Sequence, residues 1–410
     1  MKTYRFYMIT KTLLILVFIM TFMGACAQPP AQTEAPPPPP PTEEPQAPLP
    51  TEAPAATAQP TVAVEKPTAA PAAEEFSLQN PKGQKPAAWS DEKTDCTKFK
   101  KDPPWTIGVS NYGVQNTWRV QMMAELQSAA KKDPRIKELI ITNADGNVAK
   151  QVSDIGDLLT RKIDLLLVLP VSSDGIVSAV DEVYNAGIPV IVFNNELKGK
   201  NFQSMVWIDE YMFGWIGGKW LSEQLGGKGN VVVLEGVAGT STSDLRTAGA
   251  KDALGSDIKI LAQQPADWAY DKGKKVMEDF IAAYPQIDGI YSQGGAMSLG
   301  ASEALLAAGK PLLPVTSEGN NGFLKFWKNH MTEGFSSIGP DEATWQSSEA
   351  LMQGVSCLEG KTIEKWYSLP LPVITDQNID QYVNMACPDD LWANTKMTKE
   401  EVDALYKCGQ

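Results

Sequence analysis

The chain has 410 residues and a formal net charge of -13. It is long enough for two folded domains of ordinary size, and too acidic, with no basic stretch, to offer a face to nucleic-acid phosphates. Its single histidine, His330, argues against a histidine metal site or a Ser-His-Asp triad; no G-x-S-x-G, Walker A or dinucleotide-binding G-x-G-x-x-G motif is present, and no cofactor or metal is expected.

Residues 1–25 read as an export signal: Lys2, Arg5 and Lys11 precede an apolar run from Leu13 to Met23 that is short for a bilayer span. The following Met23-Gly24-Ala25-Cys26 resembles the lipobox of bacterial lipoproteins. That resemblance implies cleavage before Cys26, acylation of its thiol and amine, and a membrane anchor of several acyl chains. An ordinary signal peptide with a chance cysteine is the plainer alternative. Residues 26–88 read as a tether. Fifteen of the thirty prolines lie between Pro29 and Pro71, and such sequence buries no core. In polyproline form, at about 3.1 Å per residue, it would reach on the order of 100 Å. Export brings oxidising conditions, so Cys96, Cys357, Cys387 and Cys408 are expected to form two disulfides, in any of three pairings.

Folded sequence is expected from about Trp105. Thr106 to Ser110 reads as a strand, and Asn116 or Thr117 caps a helix carrying Trp118, Met122, Leu126 and Ala130 on one face. A strand at Leu139 to Thr142 and a helix with Val152, Ile155, Leu158 and Leu159 inward follow. Ile163 to Leu169 is almost unbroken apolar sequence, the mark of a strand covered on both faces. Asp174 is expected to cap the next helix, Gly187 to end it, and Val190 to Phe193 to form the following strand. Polar residues then sit at the strands' carboxyl ends, where open parallel sheets bind ligands.

After a strand at Met205 to Ile208 the same alternation begins again. Helices are expected at Tyr211 to Leu225, from a Ser243-Asp244 cap to Leu254, at Lys272 to Ala283, Met297 to Ala308, Gly322 to Asn329 and Thr344 to Leu358. Strands are expected at Val231 to Leu234, Ile258 to Ala262, Gly289 to Tyr291, Leu313 to Val315 and Phe335 to Ile338. The fold class is therefore α/β: two similar doubly wound parallel-sheet lobes.

Several motifs now fall in order. They are Ile107 to Asn111, then Ile188-Pro189-Val190-Ile191 followed by Asn194-Asn195, then Gly239-Thr240-Ser241 with Arg246 and Gly249. Pro265-Ala266-Asp267-Trp268, Gln293 to Gly300 (QGGAMSLG) and Thr316-Ser317-Glu318-Gly319 complete the set. Over about residues 105 to 375 this series resembles the sugar-binding, ribose-binding-like branch of the type I periplasmic binding proteins, the receptors of ABC importers. The resemblance implies a three-segment hinge near Trp207-Ile208, Gly339-Pro340 and Leu371-Pro372. It implies a first lobe at 105–207 plus 340–371 and a second at 208–339 plus 372–410. It also implies a sugar or related polyol in the cleft, an ABC permease as partner, an extracytoplasmic monomer and no catalytic residues.

The ligand-binding candidates are Asn111, Tyr112, Trp118, Asn194, Asn195, Arg246, Trp268 and Glu318. Amides both donate and accept, and guanidinium offers a fixed fork of donors. An aromatic ring suits the apolar face of a sugar. Each has a plainer role open to it: an exposed helix arginine, a surface carboxylate, a turn asparagine, a core ring. Trp345 and Gln346 are secondary candidates. The family's Asp-Arg pair is Asn194-Asn195 here, and the asparagine of its Q-N-D-x-M-A-x-G turn is Gly294, so a less charged site is expected. A ligand sensor for a kinase or chemoreceptor is the alternative within the fold, and a secreted α/β hydrolase the alternative outside it.

Overall fold

The computed structural model describes residues 91–409; the expected signal segment, Cys26 and the tether lie outside the described residues. Chain order begins with β1 (Lys93–Asp95), β2 (Trp105–Asn111), α1 (Thr117–Lys132), β3 (Ile136–Asn143) and α2 (Val148–Thr160). Next come β4 (Leu165–Val168), α3 (Val177–Asn185), β5 (Val190–Phe193) and β6 (Ser204–Trp207). The second run is α4 (Glu210–Gln224), β7 (Gly229–Glu235), α5 (Ser241–Leu254), β8 (Ile258–Pro265), α6 (Tyr270–Ala283) and β9 (Gly289–Ser292). It continues with α7 (Gly295–Ala307), β10 (Val315–Thr316), α8 (Asn321–His330) and β11 (Ser337–Pro340). The chain then returns through α9 (Gln346–Leu358), β12 (Thr362–Glu364) and β13 (Trp366–Ser368), and ends with β14 (Val373–Ile374) and α10 (Lys399–Tyr406).

Two six-stranded sheets result, ordered β13-β6-β5-β4-β2-β3 and β14-β11-β10-β9-β7-β8. Pairing is parallel throughout, except where β14 runs antiparallel to β11. The chain changes sheet between β6 and α4, between β11 and α9, and between β13 and β14, so three segments form the hinge. In each sheet the order reverses beside the first strand of the run, at β2/β4 and at β7/β9. Loops leaving such a reversal part in opposite directions and open a crevice.

Every residue of β4 and β5 is buried, as their unbroken apolar sequence predicts. Alternate side chains point to opposite faces of a strand. Leu165, Leu167, Ile191 and Phe193 thus join one core with α1 and α9 residues, while Leu166, Val168, Val190 and Val192 join another with α2 and α3 residues. Truncating one such leucine to alanine costs about 2–5 kcal/mol.

Three local expectations are corrected. Asp174 does not cap α3: the helix starts at Val177 with Ile176 at its cap position, and the Asp174 carboxylate pairs with Lys198 instead. The cap of α5 is Thr240, whose side chain accepts from the Ser243 N–H; the chain enters that helix earlier than Ser243-Asp244 implied. Folded sequence begins before Trp105, because β1 pairs with β12 and Cys96 is bonded to Cys357 at the end of α9. The other disulfide is Cys387–Cys408.

Candidate functional site

The loops leaving the two reversals face one another. Asn116, Trp118 and Arg119 at the start of α1, with Asn194 after β5, form one wall of a crevice. Thr242 and Arg246 on α5, Trp268 after β8 and Glu318 after β10 form the other. Glu342, on the second hinge segment, and Trp392, in the C-terminal tail, complete the lining. The crevice is nearly closed, with a cavity of about 20 Å³ between these walls, room for about one water. A larger hollow, lined by Ile281, Tyr284, Pro285, Leu305 and Leu313, lies on the second lobe away from these residues.

Arg246 holds the centre. Its Nε donates to Glu210 at 2.6 Å, Nη1 to the Gln293 carbonyl at 2.7 Å and Nη2 to Glu342 at 2.7 Å. The guanidinium lies 3.6 Å from the Phe213 ring centroid, and a Glu318 oxygen is 3.6 Å from Nη1. Helix α5 reaches this position because α4 and α5 touch backbone to backbone: a Cβ on Gly214 would lie 1.9 Å from the Arg246 carbonyl oxygen. Gln293 fixes the register, accepting from the Gly236 N–H and the Ser243 hydroxyl and donating to the Thr247 hydroxyl.

Burial alone would lower the Arg246 pKa, but the surrounding Glu210, Glu318 and Glu342 outweigh it and raise it. The acids go the other way. Desolvation, against the pull of Arg246 and with repulsion from Glu342, pushes Glu210 up to about 8. Desolvation likewise pushes Asp341 up to about 8 and raises Glu318 well above the usual carboxylate range. A carboxyl that keeps its proton can donate as well as accept, which suits a ligand hydroxyl. Glu318 Oε1 and Glu210 Oε1 are buried with no hydrogen-bond partner among the described residues.

Trp268 depends on two glycines. A Cβ on Gly236 would lie 2.0 Å from its indole, and one on Gly294 2.7 Å from it. Gly294 therefore has a steric reason to stand where the resembling family has asparagine. Asp267 and Trp268 both adopt left-handed backbone, with φ of 52° and 55°, an uncommon conformation for non-glycine residues that concentrates at functional sites. Asn194 does the same at φ 62°. The indole N–H groups of Trp118 and Trp268 and Arg119 Nη1 are buried with no partner among the described residues. Arg119 lies over the Tyr112 ring at 4.1 Å, and desolvation lowers its pKa to about 10.

Of the eight candidates, Trp118, Asn194, Arg246, Trp268 and Glu318 line the crevice, and Asn111, Tyr112 and Asn195 do not. The Asn111 amide turns along the sheet to Asn143 and the Gly113 carbonyl. Tyr112 packs under Arg119. Asn195 donates to the Pro170 carbonyl and accepts from the Thr242 hydroxyl at 3.0 Å, a contact between lobes. Gln346 stands behind the wall, donating to Glu342, and Trp345 donates to Asn394. Sequence reading missed Asn116, Arg119, Thr242, Glu342 and Trp392 on the lining and Glu210 behind it. Two arginines and two glutamates face the crevice.

Two doubly wound lobes, hinged by three segments over a crevice with unpartnered polar atoms, define a two-lobed cleft-binding protein. The family model described as periplasmic binding protein domain matches residues 107–361, and the chain belongs to that family. Over 301 residues it is 28% identical to the ribose import binding protein of Bacillus subtilis, spanning 73% of this chain and 94% of that one. It is 29% identical over 246 residues to a xylitol-binding protein of Mycolicibacterium smegmatis, spanning 59% and 70%. The fold matches a solved ABC transporter solute binding protein of Thermobispora bispora with a TM-score of 0.66, at 26% identity over 73% of this chain and 95% of that one.

Proposed function

We propose that the protein is a membrane-anchored, extracytoplasmic solute receptor of an ABC importer, and that it holds a sugar or related polyol in the interlobe cleft and delivers it to a permease. One observation carries this: Asn194, Arg246, Trp268 and Glu318, distant in sequence, line a single crevice. Hydroxyl-recognising atoms there, Glu318 Oε1, Arg119 Nη1 and two indole N–H groups, lack partners among the described residues. The relatives named for ribose and xylitol support this ligand class. Such a ligand contacts both lobes only in the closed form and so stabilises it. No bond is broken. The protein acts as a monomer, and Cys26 carries the acyl chains.

Titration calorimetry with ribose and xylitol is expected to show saturable binding, weakened at least tenfold by Glu318→Ala. Failure of any pentose, hexose, polyol or nucleoside to bind would sink the reading. For the anchor, labelled palmitate should enter the wild-type chain and not Cys26→Ala; equal labelling would refute it.

A further inference from the structure

The family match ends at residue 361, yet Trp392, from the tail beyond it, is part of the crevice wall. Its side chain is 1% exposed. The tail that carries it holds both lobes. On the second lobe, residues on either side of Trp392 wrap the start of α8. The Asn321 N–H donates to the Leu391 carbonyl at 2.8 Å, the Gly322 N–H to the Asp389 carbonyl at 3.0 Å, and the Ala393 N–H to the Gly319 carbonyl at 2.8 Å. On the first lobe, α1 takes over. Gln121 accepts from the Trp392 N–H at 2.9 Å and donates to the Trp392 carbonyl at 3.0 Å, bracketing its backbone as a neighbouring strand would. The indole N–H donates to Thr117 at 2.9 Å, and Thr395 donates to Glu125 at 2.6 Å. Helix α10 follows α1 outward, where Glu401 pairs with Lys132 at 2.7 Å. The Cys387–Cys408 disulfide closes the loop, so neither limb can be pulled away alone. Residues 384–408 therefore touch both lobes.

We propose that residues 384–408 are an interlobe strap that limits how far the cleft opens, and that Trp392 on it determines which ligands fit. Opening about the hinge moves α1 relative to α8, and the strap is bonded to both. Opening therefore requires one set of these bonds to break. The backbone bracket around Trp392 also fixes its ring as a rigid part of the wall, so a larger or differently shaped ligand meets a surface that cannot retreat. The selectivity role rests on the cleft being the sugar site; the strap role does not.

The test uses the full chain with spin labels at the exposed positions Val152 and Leu306, one on each lobe, and ribose, xylitol, L-arabinose, D-allose and myo-inositol as probes. Without sugar, the wild type should give one narrow distance distribution, and Gln121→Ala and Trp392→Ala should each add a longer component. Trp392→Ala should change the ranking of the sugars by at least tenfold for one of them, and Trp392→Phe should restore it in part. Unchanged distances in both released variants overturn the strap. A ranking preserved within twofold overturns the selectivity role. Should Trp392→Ala not fold, Gln121→Ala decides the strap and Trp392→Phe the selectivity. A wild type that binds none of the probes sinks the sugar reading and the Trp392 role together, while the distances still judge the strap.

Discussion

Two buried arginines face the same crevice under opposite conditions. Arg246, on the second lobe, donates to two carboxylates and a carbonyl and stacks on Phe213. Arg119, on the first, has a Tyr112 ring beneath it and a buried Nη1 with no partner among the described residues. Their pKa values move in opposite directions, raised for Arg246 and lowered to about 10 for Arg119. A guanidinium whose donors are engaged holds a structure together; one left short of acceptors is prepared for an acceptor that arrives later. The second lobe thus supplies a braced platform, and the first supplies unmet hydrogen-bonding capacity.

The largest expected effect breaks the platform. Arg246→Met keeps much of the volume but leaves Glu210 and Glu342 without their cation. Removing one partner from a buried ion pair costs about 3–5 kcal/mol, readable as a lower midpoint in guanidinium unfolding of the sugar-free protein. A loss below about 1 kcal/mol would mean that the acids take up protons and that Arg246 is not the brace. Next in size is Trp268→Ala. It empties the slot between Gly236 and Gly294 and should lower stability by about 3–5 kcal/mol if the slot stays open, less if it collapses. The same unfolding experiment ranks it against Arg246→Met.

The contrast sharpens at Arg119→Met. With no carboxylate deprived of its partner, folding stability should stay within about 1 kcal/mol of wild type or rise. Ribose or xylitol affinity should fall by about 10- to 100-fold, the value of one charge-assisted hydrogen bond. Calorimetry and unfolding on the same preparation separate the two readouts. Equal stability losses at Arg119 and Arg246 would erase the distinction between the lobes.

Which of these residues the sequence disclosed follows from where they sit. Asn194, Trp268 and Glu318 leave the carboxyl ends of strands, and Arg246 rides the first turns of a helix after a strand, so alternation of elements places them at the crevice before any coordinate is known. Both lobes and their buried strands were legible for the same reason. Asn111 was also at a strand end, but its amide found Asn143 on the neighbouring strand, a pairing that depends on register between β2 and β3. Glu342 depends on where the chain crosses between sheets, and Trp392 on how an irregular tail returns. Neither is written in periodicity. Arg119, directly after Trp118 on a helix, reads as a solvent-facing residue until Tyr112 is seen beneath it.

The smallest effect concerns protons. Glu210 and Asp341 are pushed up to about 8 by desolvation, and Glu318 is raised as well, whereas in the unfolded chain these groups ionise near ordinary carboxylate values of about 4. Between about pH 4.5 and 8 the native protein therefore holds protons that the unfolded chain has released. Stability from these groups is fully present below that window and falls as pH rises through it. Glu401 acts in the opposite sense: hydrogen bonds from Lys132 and Ser128 lower it to about 2, so its contribution is lost only as the pH drops below about 4.5. Denaturant unfolding of the sugar-free protein at pH 5, 6, 7 and 8 should show declining stability. Glu210→Gln, which keeps the shape and cannot ionise, should make that decline shallower by up to one proton's worth of slope. A pH profile identical to wild type would place the retained protons on Glu318 and Asp341 and leave Glu210 an ordinary ionised partner of Arg246.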